Sequence, residues 1–431
     1  MTAISPERLQ THLRYLCEEI GVRLAGTPAD KKAADYCAQQ LKAGGAAVSM
    51  ESFPVMSRVV TGEELAVKLG GNWEVFPCSL FVNTPGTDGA TIEAPLVFFE
   101  APAEYERADL SHLHGKAVVH LGCHIESRDA YRRLMTAKPA FLLFVDIRFP
   151  GTVPLTDAMF PAYTNSLGAR PTINVAYMDA WRWRQEGADT ARLTVSGGME
   201  AAESRNVVGE LPGTDPDAGM IYLGAHHDTQ ADSVGADDNA SGVAGIIELA
   251  RILSPRPRRR TVRLVSFGAE EQLSVGSACY VREHREELAQ AQLIFNLDSY
   301  GSWLGWNELI INGPTALRGH IGPFFEREGF FVRITDEIMP YADHFPFVAA
   351  GVPGITLLRM NCASGRFFHH RSDDDLSRVS AKMMGRNLDA IAALIADLAQ
   401  APELPFARNI PVSQAKHVEH FWVDLFGGFT H

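Results

Sequence analysis

Residues 225–242 read AHHDTQADSVGADDNASG and bring two histidines and four aspartates close together along the chain. The stretch follows the apolar run GMIYLG, which predicts a buried strand leading into these acids. Carboxylates this dense repel one another, and a buried carboxylate is unfavourable unless a positive charge compensates it. The stretch therefore requires a positively charged partner.

His226 and Asp228 have the spacing of a metal-binding pair. Side chains alternate between the two faces of a strand, so these two share a face while His227 points away. When an imidazole binds a metal, a carboxylate beside it takes the free ring N–H and fixes the tautomer. Taken alone, however, this short pattern favours an ordinary surface histidine.

The segment GADDNASG, residues 235–242, leads into a helix of small and apolar residues. An Asp, Asn or Ser at this position can cap the helix, which is worth about 1 kcal/mol. A cap needs only one such residue, so it accounts for part of this run only. The helix N-terminus also offers partial positive charge to a nearby carboxylate.

Three further motifs place acids or histidines after apolar segments. They are VRLVSFGAEE with Glu270 and Glu271, LIFNLDSYG with Asp298, and FFHHRSDDDLS with His369 and His370 ahead of Asp373, Asp374 and Asp375. Open α/β sheets place their sites at the carboxyl ends of strands, so these residues are expected to meet at one edge. Two divalent cations would neutralise them. Imidazole combined with carboxylate oxygen suits zinc and also tolerates manganese or cobalt.

Alternation of strands and helices after residue 200 predicts the sheet that positions these residues. Strands are expected at 205–211, 219–225, 261–267, 292–297, 308–312, 331–335 and 354–358, and helices near 240–253, 276–289, 315–328 and 378–399. The pattern predicts an α/β fold with a mixed, mostly parallel central sheet flanked by helices. Helical periodicity adds N-terminal helices at 6–21 and 28–43.

The chain changes character between about 59 and 199, where short β-type runs are broken by Gly, Pro and Asn. Brief helices are expected near 127–136 and 178–186. We therefore predict an inserted, mainly β domain at 59–199 within a catalytic domain formed by 1–58 and 200–400. The tail 401–431 is rich in aromatic residues and is expected to pack on this chain or on a second subunit.

Composition argues against several classes of protein. A net charge of −13 disfavours nucleic-acid binding, which needs a basic face. Nothing resembles a membrane span of about 18 apolar residues or the apolar core of a signal peptide. The 6 cysteines lack C-x-x-C pairs, which indicates reduced thiols and a cytoplasmic location. The motifs G-x-S-x-G, H-E-x-x-H and G-x-x-x-x-G-K-[ST] are absent, which disfavours serine-hydrolase, helix-borne zinc and P-loop sites.

Together the motifs resemble those of the co-catalytic dizinc aminopeptidase family, which includes bacterial leucyl aminopeptidase, aminopeptidase Y and plasma glutamate carboxypeptidase. The resemblance covers the N-terminal segment RLAGTPADKKAADYCAQQLKAGG and most of 200–400, and it implies a fold of the zinc-exopeptidase type. The implied roles are metal ligation by His226, Asp238, Glu271, Asp298 and His370, general-base catalysis by Glu270, and orientation of His226 by Asp228. Asp238 would bridge both metals, with Asp298 on the side of His226 and Glu271 on the side of His370.

The resemblance also bears on less regular parts of the chain. His370 is preferred to His369 because HRSDDDL is similar to the family's H-T-P-x-D-T-L spacing, although Arg371 and Ser372 replace Thr-Pro. The segment ADHFPF, residues 342–347, resembles the family's S-D-H-x-x-F motif near the substrate pocket. Tyr341 is offset from the position of an oxyanion-stabilising tyrosine. The insert resembles a protease-associated domain.

The implied function is metal-dependent hydrolysis of an amide bond, with an aminopeptidase that acts on peptide N-termini through a metal-bridged water as the first hypothesis. A small-molecule amidase or aminohydrolase with the same metals is the alternative, and a dipeptide panel distinguishes them. A catalytically silent binding protein is disfavoured because all five ligand positions hold competent residues. The expected partner is a peptide or small amide, with no nucleic acid and no membrane. A homo-oligomer formed through the tail or the insert stays open.

Overall fold

The computed structural model describes residues 3–122, 124–147, 151, 153–155, 157–362 and 365–429. They form two compact units. The first unit comprises the residues up to Val55 together with Glu203–Trp422, and the second unit comprises Met56–Ala202 together with the residues from Val423 onward. The main segment of the second unit encloses the predicted insert at 59–199. The predicted tail at 401–431 is divided between the two units and forms no unit of its own.

The helices of the first unit are Pro6–Arg14, continued by the π-helical segment Tyr15–Ile20, and Pro28–Ala43, Ser241–Leu253, Val275–Glu283, Thr315–Arg327, His344–Ala349 and Ala381–Gln400. Three of them begin after a residue whose hydroxyl caps the helix, namely Ser5, Thr27 and Ser380. The hydroxyl of Thr27 accepts a hydrogen bond from the N–H of Asp30 at 3.3 Å, and Pro28 occupies the first helical position. A proline is well suited there because it has no N–H to leave unpaired.

The central sheet of the first unit is mixed and mostly parallel. Its strand order is Val332–Thr335, Trp306–Asn312, Gly354–Met360, Ala291–Leu297, Met220–His226, Thr261–Phe267 and the end of Thr190–Leu211. The four strands from Gly354–Met360 to Thr261–Phe267 run parallel. Trp306–Asn312 is antiparallel to Gly354–Met360 but parallel to Val332–Thr335, and Thr190–Leu211 is antiparallel to Thr261–Phe267. The predicted fold class is confirmed. The carboxyl ends of the four parallel strands therefore lie at one edge.

The helix Ser241–Leu253 lies at the centre of the core, and all of its residues except Arg251 are buried. It contacts the strands Met220–His226 and Ala291–Leu297 and also the helices Pro6–Arg14, Pro28–Ala43 and Ala381–Gln400. A helix that is apolar on every face is stable only when other elements surround it. Its N-terminus follows the acidic run 237–238 directly, so core packing fixes the position of those acids.

The second unit contains the strands Asn72–Phe76, Cys78–Leu80, Thr91–Phe99, Ala117–Leu121, Phe141–Val145 and Thr172–Val175, with segments of the long strands Ala47–Leu69 and Thr190–Leu211. Thr91–Phe99, Ala117–Leu121, Phe141–Val145 and Thr172–Val175 pair in parallel in that order. Helices form at Arg128–Ala137, Pro161–Leu167 and Tyr177–Glu186. Two of the three correspond to the predicted brief helices.

The C-terminal residues form the helix Val412–Phe426. Phe406 and Trp422 are buried in the first unit and Phe426 is buried in the second, at 7%, 3% and 7% exposure. The aromatic residues of the tail therefore pack on this chain, one of the two expected outcomes. Among the helices in the described part of the chain, none combines the length and the apolar character needed to cross a bilayer. Five cysteines are free thiols, and Cys123 lies outside the described residues.

Candidate functional site

His226 is the last residue of the strand Met220–His226, and its side chain lies at the carboxyl edge of the central sheet. Its Nε2 lies 3.2 Å from Oδ1 of Asp238 and 3.9 Å from Oδ1 of Asp298. Nε2 makes no hydrogen bond of good geometry with any described residue, although it is buried. These three side chains can converge on a single metal ion.

His227 faces away from this cluster, as the strand periodicity predicts. Its Nδ1 lies 2.9 Å from the hydroxyl of Ser266, and its Nε2 lies 3.1 Å from Oδ1 of Asp30. Both ring nitrogens therefore have partners on the other side of the strand. His227 ties the N-terminal helix Pro28–Ala43 to the sheet and takes no part in the candidate metal site.

The loop that carries Asp238 is held by several backbone contacts. Asn239 Oδ1 accepts from the N–H of Gly242 at 2.8 Å, so the amide performs the capping role and the two acids before it are left for another purpose. Gly235 has φ +52°, and a Cβ there would lie 2.0 Å from the carbonyl oxygen of Asp238. Only glycine fits this turn, which aims Asp238 into the cluster.

Asp238 lies between two groups of side chains. Its Oδ1 faces His226, while its Oδ2 lies 3.2 Å from Nε2 of His369 and 3.7 Å from Nε2 of His370. Glu271 completes the second group, because its Oε2 lies 2.9 Å from Nε2 of His370. Each carboxylate oxygen of Asp238 thus faces one group, which is the geometry expected of a carboxylate that bridges two ions.

The structure brings both adjacent histidines to the site. The rings of His369 and His370 stack with centroids 3.5 Å apart, and Asp238, His369 and His370 can converge on one ion. The sequence spacing singled out His370 alone. His370 also contacts Glu271, as the predicted ligand pair requires, and His369 was not anticipated as a neighbour of Asp238. The ligand roles themselves stay predictions.

Asp228 is completely buried and contacts two neighbouring segments. Its carboxylate accepts hydrogen bonds from the backbone N–H groups of Glu270 at 3.0 Å and Glu271 at 3.1 Å. Its Oδ1 lies 3.5 Å from Nδ1 of His226, whose closer contact is the backbone carbonyl of Asp228 at 3.3 Å. Asp228 therefore orients the glutamate pair more directly than it orients His226.

Glu270 and Asp298 occupy the same edge. Oε2 of Glu270 lies 3.7 Å from Nε2 of His226, and the hydroxyl of Ser274 donates to its other oxygen at 3.4 Å. Asp298 follows the strand Ala291–Leu297 directly, and its Oδ1 accepts from the hydroxyl of Ser299 at 3.2 Å. Four segments distant in sequence thus meet within a few ångströms.

The number of buried carboxyl groups around the cluster indicates whether the site suits cations. Eight carboxyl groups, none more than 7% exposed, surround the cluster: Asp228, Asp237, Asp238, Glu270, Glu271, Asp298, Asp343 and Asp374. The basic side chains against them are Arg366 and the histidines of the two groups. Such an excess of buried negative charge is unfavourable without added cations. The mixed imidazole and carboxylate donors fit two divalent ions of the zinc type.

The titration behaviour of the cluster follows from burial and charge. Burial alone would lower the pKa of His226, but the carboxylates, that of Glu270 foremost, hold its pKa well above the ordinary value. Burial raises the pKa of Glu270 well above its usual range, against the opposing effect of His226. Burial raises the pKa of Asp237 and of Asp343 to about 7. The site therefore favours bound protons wherever no cation is present.

Two residues that hold the backbone of the site in place were not predicted from the sequence. Asp374 is fully buried, and its carboxylate accepts from the backbone N–H groups of Asp237 at 2.9 Å and Asp238 at 3.0 Å. Arg23 is also fully buried and donates to the backbone carbonyls of His227 at 2.7 Å and Val234 at 2.8 Å. Both residues stood in segments that the motifs marked, the acidic run 373–375 and RLAGTP. Their burial, which only the fold reveals, distinguishes them.

The segment 342–347 contributes one acid and one structural histidine. Asp343 is one of the buried carboxyl groups, whereas Nε2 of His344 lies 3.1 Å from Oδ1 of Asn312 and its Nδ1 lies 2.6 Å from the hydroxyl of Thr356. Burial lowers the pKa of His344 to about 3, so the ring is neutral. Tyr341 is partly buried in the same turn.

Comparison with known proteins agrees with this fold. Residues 206–395 match the model of peptidase family M28. The chain is 25% identical to aminopeptidase YwaD of Bacillus subtilis over 404 residues, covering 91% of this chain and 85% of that one. It is 28% identical to the probable lipoprotein aminopeptidase LpqL of Mycobacterium tuberculosis over 319 residues, covering 69% of this chain and 60% of that one.

Among solved structures, the zinc aminopeptidase BSAP from Bacillus subtilis superposes with a TM-score of 0.75 at 21% identity, covering 95% of this chain and 98% of that one. The aminopeptidase from Aneurinibacillus sp. strain AM-1 gives a TM-score of 0.74 at 22% identity, covering 93% and 95%. At this identity the likeness establishes the shared fold. The part of the chain that carries the ligand cluster, residues 206–395, is the part that is similar to peptidase family M28.

Proposed function

We propose that this chain is a metal-dependent aminopeptidase that hydrolyses the N-terminal peptide bond of its substrates with two divalent ions, zinc foremost and manganese or cobalt as alternatives. The observation that carries the proposal is the position of Asp238, whose two oxygens face two separate groups of side chains with Glu270 beside them. The names of the relatives YwaD and LpqL, both aminopeptidases, support the same activity.

Five predicted ligands would hold the ions. His226 and Asp298 would hold the first ion and Glu271 and His370 the second, with Asp238 between them. His369 is a further donor for the second ion, because its Nε2 lies 3.2 Å from Asp238. When bound, two such cations lower the pKa of a water molecule and polarise the carbonyl of the substrate.

Glu270 would carry the proton of the attacking water to the leaving amine. Its carboxylate would accept a proton from the attacking water and deliver it to the nitrogen of the leaving amine as the C–N bond breaks. Burial raises the pKa of Glu270, which favours the protonated form that this carboxyl group takes between the two steps. The hydrogen bonds from the backbone N–H groups of Glu270 and Glu271 to the carboxylate of Asp228 fix the positions of the base and of the ligand next to it.

The substrate of an aminopeptidase carries a free amine, and the alternative substrate is a small amide without a peptide chain. The same ion pair and the same base would serve an amidase or aminohydrolase, so geometry at the ions does not distinguish them. A panel of aminoacyl anilides, dipeptides and N-acyl amides does. Turnover restricted to substrates with a free α-amine supports the aminopeptidase, and turnover restricted to N-acylated amides supports the alternative.

We further propose a cytoplasmic location, a protease-associated-like role for the insert, and self-association through the tail or insert. The free state of the five described cysteines supports a reducing compartment. Cell fractionation tests the location, and sedimentation of the purified chain tests the self-association. A membrane or secreted fraction, or a monomer at micromolar concentration, would remove the corresponding proposal.

The central test compares two substitutions at the ion cluster. We expect Glu270→Gln to retain both ions but to lose roughly 10²–10⁴-fold in kcat, because the proton carrier is removed. We expect Asp238→Ala to lose ions as well as activity, because both groups share this carboxylate. Metal analysis by mass spectrometry, together with turnover of an aminoacyl anilide, measures both effects. A fully active Glu270→Gln protein would rule out this residue as the base.

A further inference from the structure

Arg366 is a basic side chain inside the acidic cluster to which no role has been assigned so far. Its side chain is 16% exposed, and its Nη1 donates to Oδ1 of Asp298 at 3.1 Å. Its backbone carbonyl accepts from the N–H of His369 at 3.2 Å, so it belongs to the same turn as the histidine pair. Arg366 thus touches the predicted ligand Asp298 with its side chain and supports His369, the neighbour of the predicted ligand His370, with its backbone.

The guanidinium of Arg366 is permanently charged. An arginine cannot give up its proton at physiological pH, so Arg366 does not compete with Glu270 for proton transfer. It supplies fixed positive charge and fixed N–H donors at the edge of the cluster.

Most of these donors have no assigned acceptor. A guanidinium carries five N–H groups, and within the described residues the guanidinium of Arg366 makes a single hydrogen bond, to Asp298. Other arginines nearby are paired more fully. Arg371 in the same loop binds the carboxylate of Asp373 through two nitrogens at 2.8 and 3.0 Å. Unused donors on a charged, poorly exposed group indicate an external acceptor.

We propose that Arg366 donates a hydrogen bond to the carbonyl oxygen of the scissile amide and stabilises the negative charge that develops there. The proposal rests on the proposed function. Water adds to the carbonyl carbon, its proton passes to Glu270, and the π electron pair moves onto the oxygen beside Arg366. That pair then re-forms the C=O bond as the C–N bond breaks, and Glu270 delivers the proton to the departing nitrogen. The free ammonium group of the substrate binds on the side away from Arg366, because like charges repel.

This role has a measurable consequence that differs from simple support of Asp298. Removing one donor to an oxyanion costs roughly 10²–10³ in kcat, with a smaller effect on KM. We expect Arg366→Gln to lose kcat in that range on an aminoacyl anilide while retaining its zinc content. Arg366→Lys should lose less, because the ammonium keeps the charge but not the planar geometry.

A second readout does not depend on turnover. A phosphinate analogue of a dipeptide mimics the tetrahedral geometry, and calorimetry gives its affinity. In Arg366→Gln this affinity should fall by the same factor as kcat/KM, while the affinity for a free amino acid product should stay unchanged. Arg371→Gln is the matched control, since it removes the same charge from the same loop, and it should change kcat by less than about fivefold.

Three results would overturn the proposal. Recovery of full kcat at excess zinc would show that Arg366 only holds Asp298 in place. A loss confined to KM for dipeptides, with anilides unaffected, would show that it binds the substrate carboxylate. Unchanged kcat would remove it from the reaction while leaving the proposed function intact. Failure of the proposed function itself is recognised separately, as a zinc-loaded parent protein that turns over none of these substrates.

Discussion

Asp374 offers a substitution whose effect can be worked out from the structure. The carboxylate is fully buried and accepts from the backbone N–H groups of Asp237 at 2.9 Å and Asp238 at 3.0 Å. Asp374→Ala leaves both N–H groups buried without an acceptor. Each such group costs about 1–3 kcal/mol, so we expect a loss of about 2–6 kcal/mol in the free energy of unfolding.

Asp374→Asn gives a graded version of the same test. The amide keeps one acceptor oxygen but turns an NH₂ group toward the other backbone N–H. The expected loss of stability is about 1–3 kcal/mol, roughly half that of alanine. Asp374 binds the backbone N–H of Asp238 and so helps to fix the position of this predicted ligand. Both variants should therefore also weaken zinc binding by about 10–100-fold, the usual effect of removing a residue that orients a metal ligand.

The assay is urea unfolding of the zinc-free protein, followed by zinc titration by competition with a chelating dye. Asp375→Asn is the matched control. Asp375 caps a turn through the N–H and hydroxyl of Ser377 at 2.8 and 2.5 Å, and asparagine caps as well as aspartate. Its effect should stay below about 0.5 kcal/mol. If Asp374→Ala matched the parent protein in both stability and zinc affinity, the reasoning about this carboxylate would be refuted.

Two further predictions concern histidines. Burial lowers the pKa of His12 and His120 to about 4, so the unfolded chain takes up protons first as pH falls below about 6.5. The stability that these neutral histidines contribute is therefore present above pH 6.5 and lost toward pH 4, by about 3 kcal/mol per histidine. Urea midpoints across this range measure the loss, which His120→Phe should reduce; parallel losses in both proteins would contradict it. For the second ion, His370→Ala should lower zinc content to about one ion per chain, and His369→Ala should weaken binding less. The reason is that His370 contacts both Asp238 and Glu271, whereas the carboxylate contact of His369 within the described residues is with Asp238. Equal losses by metal analysis would show that the two histidines are equivalent ligands.

Much of the secondary structure of the first unit could be predicted, because it depends on sequence patterns within short segments. Apolar runs and helical periodicity placed the strands Met220–His226 and Ala291–Leu297 and the helix Ser241–Leu253 within a few residues. The short helix Pro161–Leu167 was missed, since seven residues carry too little periodicity to stand out from a loop. The strand that was expected from 205 begins at Thr190, because it continues without a break from the second unit.

The candidate site was predictable to the extent that it lies at strand ends. His226 and Asp298 follow buried strands directly, and parallel strands bring such ends to one edge. Asp374 and Arg366 could not be identified in this way, because their partners lie more than sixty residues away along the chain. Their importance arises from burial and hydrogen bonding in the folded chain, which the spacing of residue types in a sequence does not encode.

The most direct test of the account is a crystal structure of the zinc-loaded protein with anomalous diffraction data collected at the zinc edge. The account predicts two peaks about 3.5–4 Å apart, one beside His226 and Asp298 and the other beside Glu271 and His370, with one oxygen of Asp238 directed at each. A protein that holds no zinc at this edge, or one whose zinc lies away from Asp238, would contradict it.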